Sequence, residues 1–259
     1  VPASRSFFQS DRDGQIEKKE LRLSTAALQQ GVIFQLLPPN FEFSTLAFEL
    51  FLMNTEQAYN QWAAQYDTNI NRTRDLEAVA LRQLLENIPF DSCLEIGCGT
   101  GKNTEWLVTK AQQVTSADLS QEMLLKAKEK ISSDKVNFIQ ADINEPWTFG
   151  HAKYDLVSFS LVLEHISNLD HIFKETTAAL KSGGHVYVGE LHPFKQYAGS
   201  KARFETEEGT QIVPCFNHHI TDFTKAAEKH GLTLLSIDEH FDDGDRNQIP
   251  RILTLIFKK

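Results

Sequence analysis

The chain has 259 residues, a formal net charge of −9 and an apolar share of 41%. That length admits one large α/β domain or two small ones, and the acidic balance excludes a general nucleic-acid binder, which needs a basic surface. Cys93, Cys98 and Cys215 are few and odd in number, so no disulfide framework is expected and a reducing, cytoplasmic location is.

Residues 1–52 break with the pattern of the rest. The chain opens Val1-Pro2, and its first methionine heads Met53-Asn54-Thr55-Glu56-Gln57-Ala58-Tyr59. The expectation is therefore an N-terminal extension ahead of a natural start at Met53. Asp11-x-Asp13-Gly14-x-Ile16-x-x-x-Glu20 has the spacing of the middle and end of a calcium loop, with Gly14 at the turn and Glu20 at the bidentate position. Gln9 stands at the first ligand position, so the run reads better as a solvated turn before a charged helix. Residues 32–52 are apolar only in patches, interrupted by Gln35, Pro38-Pro39, Asn40, Glu42 and Glu49. They cannot supply the ~20 apolar residues of a membrane span, and no membrane partner is expected.

Residues 53–90 read as a helical segment. Tyr59, Trp62, Ala63 and Tyr66 fall on one helical face, which serves either simple packing or a site. A second helix over about 75–86 carries Leu76, Val79, Ala80 and Leu84 as an apolar stripe and ends before Pro89.

A core over 91–259 then alternates strand and helix. A strand at 92–96 runs into Glu95-Ile96-Gly97-Cys98-Gly99-Thr100-Gly101, and a helix follows over 103–109. Glycines at alternate positions let the backbone turn sharply and approach a ligand. A dinucleotide fingerprint would place its third glycine two residues beyond the second, where this chain has Lys102. Cys98 reads as a small spacer within the loop. The next strand, 114–117, ends at Asp118, where a carboxylate can accept hydrogen bonds from both ribose hydroxyls; Ser120 is available to cap the following helix. A strand at 136–140 leads to Asp142, either a turn-forming Asp before Asn144 and Pro146 or a ligand residue. The near-continuous apolar run at 154–160 suits a strand buried on both faces. A helix to Leu180, ended by Gly183-Gly184, and a strand at 185–189 follow. An insertion at about 191–217, carrying His192 and Tyr197, then leads to His218-His219. A helix over 222–230 ends at Gly231. Closing strands at 232–239 and 251–257 are joined by Asp242-Asp243-Gly244-Asp245, read as a solvated hairpin turn; no metal site is expected.

Glu95-x-Gly97-x-Gly99-x-Gly101, Asp118 and Leu161-Val162-Leu163-Glu164-His165-Ile166 together resemble the class I S-adenosylmethionine (SAM) methyltransferases of the small-molecule type, over roughly residues 54–259. The resemblance implies a doubly wound α/β fold. Its mostly parallel, seven-stranded sheet has the order 3-2-1-4-5-7-6 and an antiparallel closing strand. SAM would be held by Glu95, Gly97, Gly99, Gly101 and Asp118, with Asp142 at the adenine amino group and Met123 either against the adenine or packed in the core. Ser160 would face the methionine part. Tyr59 and Tyr66, in Y-x-x-W-A-x-x-Y-D, resemble a lid segment that excludes water. The implied activity is methyl transfer to a small-molecule acceptor by in-line displacement, with alignment supplying much of the rate. A base is needed only for an acceptor that holds its proton. Among His165, His192, His218 and His219, the resemblance favours His218. Two rivals stand beside this reading. An NAD-dependent oxidoreductase explains the glycine corner and Asp118 but not Lys102 or the antiparallel closing strands. A non-catalytic SAM-binding regulatory protein would keep the cofactor residues and lack an open acceptor pocket. The sequence does not indicate the oligomeric state.

Overall fold

The structure, a computed structural model, describes residues 4–10, 16–22, 53–206 and 209–259. The backbone divides into two units, residues 1–53 with 205–210, and residues 54–204 with 211–259. In the first, β1 (Ser4–Ser10) and β2 (Ile16–Arg22) pair antiparallel, Ser4 opposite Arg22 and Ser10 opposite Ile16. The expected charged helix after Gly14 is thus a strand, and the backbone of 16–22 bonds to that of 4–10. Asp11, Asp13 and Gly14, with the patchily apolar run at 32–52, lie outside the described residues.

The second unit opens with α1 (Thr55–Trp62) and α2 (Arg72–Leu85), capped by Asn54 and Asn71. Then come β3 (Ser92–Ile96), α3 (Thr104–Lys110), β4 (Gln113–Asp118), α4 (Gln121–Lys130), β5 (Val136–Gln140) and β6 (Tyr154–Ser160). α5 (Leu169–Ala179), β7 (Leu180–Leu191), α6 (Pro193–Tyr197) and a short hairpin of β8 (Arg203–Thr206) and β9 (Gly209–Ile212) follow. α7 (Ile220–Lys229), β10 (Thr233–His240) and β11 (Ile252–Lys258) close the chain. The seven-stranded sheet runs β10-β11-β7-β6-β3-β4-β5. β3, β4, β5, β6 and β7 pair in parallel, and β11 is antiparallel to both neighbours. Strand order reverses at β3 and β6, so a crevice opens above their C-terminal ends, the place where open α/β sheets bind ligands.

Neighbouring residues on the central strands bury opposite faces, as strand pleating requires. Val157 and Phe159 join Ile172, Phe173 and Val188 on one side, while Leu156 and Tyr187 join Leu81, Leu85 and Leu107 on the other. Two local expectations change. Gly183 and Gly184 lie inside β7, where the register with β6 shifts between Tyr154 and Leu156 and Gly183 takes φ +80°, so they accommodate a bulge and do not end the helix. The buried face of α2 is Glu77, Ala78, Ala80, Leu81 and Leu85, and Val79 is exposed. Glu77 can be buried because Asn103 Nδ2 (3.0 Å) and Tyr187 Oη (2.9 Å) donate to its carboxylate.

Candidate active site

The glycine corner is stitched to β4. Gly97 N and Cys98 N donate to Ala117 O at 2.7 and 3.1 Å. Beyond it, Gly99 N donates to Asp118 Oδ2 (2.7 Å) and Ser120 N to Asp118 Oδ1 (2.8 Å). One carboxylate therefore holds both loops and keeps further lone pairs on each oxygen. Burial pushes the Asp118 carboxyl up, opposed by these N–H donors. A carboxylate merely solvated in the free protein, the simplest expectation for a ligand-binding Asp, is not what the structure has.

The three glycines differ in purpose. A Cβ on Gly97 would lie 1.9 Å from Val162 Cγ2, and one on Gly101 2.6 Å from Ile131 Cδ1, so both are close-packing positions. At Gly99 the nearest atom would be on Tyr66, 3.9 Å away, and the missing side chain leaves a cradle facing the crevice. All three have positive φ.

A cleft enclosing about 720 Å³ of space, its open mouth included, lies over this corner. Gly97, Gly99, Asp118 and Asp142 line its floor, with Ser160 beside them. Tyr59 and Tyr66 line it from the α1 segment, which is tied down where Ser120 Oγ donates to Asn60 Oδ1 (2.7 Å) and Thr100 Oγ1 to Asp67 Oδ1 (2.6 Å). Asp142 Oδ1 accepts from Asn144 N at 2.9 Å in a turn, and the residue also lines the cleft. Four expected residues are not in the lining. Glu95 lies behind the loop, where Oε2 accepts from Thr104 Oγ1 (2.6 Å) and Ser116 Oγ (2.8 Å), and burial pushes its carboxyl up to about 7. Gly101 packs on α4. Met123 is wholly buried in the core, and Leu119 takes the apolar place beside Asp118. His218 is buried against Phe223, and its Nε2 donates to Ile166 O at 2.7 Å.

The histidine in the lining is His165. Its Nδ1 lies 2.7 Å from Pro214 O, which can only accept, so Nδ1 carries the proton and Nε2 a lone pair. Tyr59 Oη donates to that Nε2 at 2.8 Å. Burial holds the Tyr59 phenol well above its usual range. Proton loss from a group hydrogen-bonded to Tyr59 Oη can thus be relayed to an imidazole, with the Glu164 carboxyl 3.9 Å from Nε2. Glu164, His165 and Cys215 offer ligand atoms within 4.8 Å of one another. Both ring nitrogens of His165 are already committed, so the trio is a hydrogen-bonded cluster. His192 instead caps α6 and contacts Glu239 at 3.1 Å, and His219 meets Tyr197 Oη.

Sequence reasoning passed over what shapes the loop after β6. Leu161 takes φ +57°. The carboxyl of Glu190 at the end of β7 accepts from Val162 N (3.0 Å) and Leu163 N (2.8 Å) through Oε1. Burial, with the Glu164 charge, pushes Glu190 up to about 8. An acid at the tip of an apolar strand is the one signal that could have flagged it.

These residues fit a nucleoside-bearing cofactor. Asp118 has acceptor capacity left for two hydroxyls, the Gly99 cradle admits a ligand against backbone, and Leu119 and Ile143 supply apolar walls for a base. Residues 94–188 match a family model described as "Methyltransferase domain". The malonyl-[acyl-carrier protein] O-methyltransferase of Priestia megaterium is 31% identical over 56% of this chain and 57% of its own length. The ubiquinone biosynthesis O-methyltransferase of Hydrogenovibrio crunogenus is 28% identical over 68% of this chain and 74% of its own. Across the first curated relatives, the chain spans from 30% to 78% of their length. A putative SAM-dependent methyltransferase from Listeria monocytogenes shares the fold, with a TM-score of 0.62, 24% identity and coverage of 71% of this chain and 98% of that one. The sheet order and the glycine corner agree with these likenesses: residues 94–188 match a methyltransferase domain, and the chain has the fold of the class I SAM-dependent methyltransferases.

Proposed function

We propose that this chain methylates a small-molecule acceptor, taking the methyl group from SAM bound in the cleft, and that the acceptor atom is an oxygen. The observation that carries the reading is the meeting of two features in one cleft. The cofactor cradle of Gly99 and Asp118 shares its lining with the Tyr59–His165 pair. When bound, SAM supplies an electrophilic methyl carbon: an acceptor lone pair forms the new bond in line as the C–S bond breaks and its electrons return to sulfur. Asp118 holds the ribose, Asp142 the base, and Tyr59 and Tyr66 exclude water. For a hydroxyl acceptor, the leaving proton passes to Tyr59 Oη as the phenol proton moves to His165 Nε2. The names of the two curated relatives, both O-methyltransferases, support an oxygen acceptor.

Nothing in the comparisons favours the NAD-dependent rival. A second cavity beside the cleft gives an acceptor somewhere to enter, which speaks against a purely regulatory SAM binder. No helix among the described residues is long and apolar enough to cross a membrane. We place the protein in the cytoplasm, where its three free cysteines stay reduced. The test is methyl transfer from tritiated SAM over a panel of small alcohols and phenols. His165→Ala and Tyr59→Phe should retain SAM affinity and lose roughly 10²–10⁴-fold in rate toward hydroxyl acceptors. Wild-type SAM binding with no transfer to any panel member counts against the reading, as does full activity in His165→Ala.

A further inference from the structure

Beside the cofactor cleft lies a second cavity, enclosing about 1120 Å³ of space including its open mouth. Tyr59, Tyr66 and Leu161 line both, so the two spaces share a wall. In a chain of net charge −9, this cavity is locally cationic: Arg72, Arg74, Lys201, Arg203 and Arg251 line it, with Glu164 as its sole acid. Some of that charge is neutralised. Arg251 is paired with Asp242, and Arg72 makes a 3.9 Å contact with exposed Asp243. Among the described residues, Arg74, Lys201 and Arg203 have no ion-pair partner.

Arg74 is held in place. Its guanidinium lies 3.9 Å over the Tyr66 ring and Nη2 donates to Asn69 O at 3.2 Å, yet its Nε is buried with no hydrogen-bond partner. A buried guanidinium N–H left unsatisfied is costly, and an incoming anion would relieve it. The first turn of α2, with its positive dipole end, lines the same cavity. Asn71, Thr73 and Ser200 add polar groups to the walls, and Trp62, Ile70 and Leu191 add apolar surface. Such a space has the make-up of a subsite for a small organic anion.

We propose that this cavity is the acceptor subsite and that it selects small molecules bearing a carboxylate or phosphate. Arg74, Lys201 and Arg203 bind that group, while the acceptor's hydroxyl reaches past Tyr59 and Tyr66 to the cofactor cleft. The assignment of an acceptor rests on the methyltransferase reading above; the anion preference of the cavity does not.

The test is calorimetric titration of the intact chain, first with S-adenosylhomocysteine and then, with that ligand saturating, with matched pairs. One arm sets hydroxybenzoates and aliphatic hydroxy acids against their primary amides; the other sets phosphate monoesters against their parent alcohols. In at least one arm the anion should bind tenfold or more tighter than its neutral partner. That preference should fall about tenfold or more in Lys201→Glu and Arg203→Glu, as in Arg74→Gln, while the affinity for S-adenosylhomocysteine holds. Lys201 and Arg203 are exposed, so their variants keep the test valid where Arg74→Gln misfolds. Parity of anions and neutral partners in both arms overturns the proposal, and so does a preference that survives both charge reversals. Failure of S-adenosylhomocysteine to bind the wild type sinks the methyltransferase reading instead, and the same pairs titrated without it still decide the cavity's preference.

Discussion

Replacing Asp118 with alanine should have two effects. In the free protein, Gly99 N and Ser120 N lose their acceptors at 2.7 and 2.8 Å. A buried donor left unsatisfied costs about 1–3 kcal/mol. Water entering the open cleft offsets part of this, and removal of a carboxylate that burial already disfavours offsets more. A net loss of about 2–4 kcal/mol is expected from two such donors, which in a domain of this size lowers Tm by roughly 4–16 °C. Separately, the ribose hydroxyls lose their charge-assisted partner, worth about 1.5–3 kcal/mol, or roughly tenfold to a hundredfold in SAM affinity. Asp118→Asn keeps one acceptor and turns an NH₂ toward the second backbone donor, so it should fall between wild type and alanine in Tm. The assay is a melting curve of the free protein beside a SAM titration. An alanine variant as stable as wild type would show that the loops do not depend on this carboxylate, and unchanged SAM affinity would remove Asp118 from the cofactor site.

The glycines should separate folding from binding. Gly97→Ala drives a Cβ into Val162 and should destabilise by at least about 1–3 kcal/mol, whereas Gly99→Ala should lower Tm by only a few degrees and still block SAM; equal Tm losses in the two would refute the distinction. Glu190 holds its proton up to about pH 8 when folded and to about 4.3 unfolded, so its contribution to stability is full below pH 4.3 and fades as pH rises to 8. Glu190→Gln keeps the acceptor for Val162 N and Leu163 N and should flatten the fall in unfolding free energy between pH 5 and 8.5; an equally steep fall would show that Glu190 is not the titrating group. His218→Ala should leave methyl transfer within about threefold of wild type once stability is matched, since its ring only bonds Ile166 O; a loss as large as that of His165→Ala would return His218 to the acceptor side.

The strands and the ligand corner were legible because they follow from local rules, whereas the sheet order came from the resemblance to the class I methyltransferases. Apolar runs ending in Asp118 and Ser160 mark buried parallel strands, and alternate glycines mark the turn between β3 and α3. What escaped depends on three-dimensional pairing. Helical periodicity counts Glu77 as solvent-facing, so the stripe on α2 was placed on Leu76, Val79, Ala80 and Leu84; the hydrogen bonds from Asn103 and Tyr187, distant in sequence, bury Glu77 and rotate the face. The resemblance made His218 attractive, but only the carbonyl of Pro214 and the hydroxyl of Tyr59 show that His165 points inward with its lone pair exposed to a partner. Of the two readings open for Met123, adenine contact and core packing, burial in the structure favours the core. The basic cavity gathers Arg74, Lys201 and Arg203 from distant segments, and a chain of net negative charge gives no hint of it.

Where the cofactor lies is tested most directly by a crystal structure of the intact chain with S-adenosylhomocysteine. The prediction is that the ligand fills the cleft with its ribose hydroxyls on Asp118, its backbone-facing edge in the Gly99 cradle and its base between Leu119 and Ile143. Ligand bound elsewhere, or a cleft whose Asp118 meets no ribose, would contradict it.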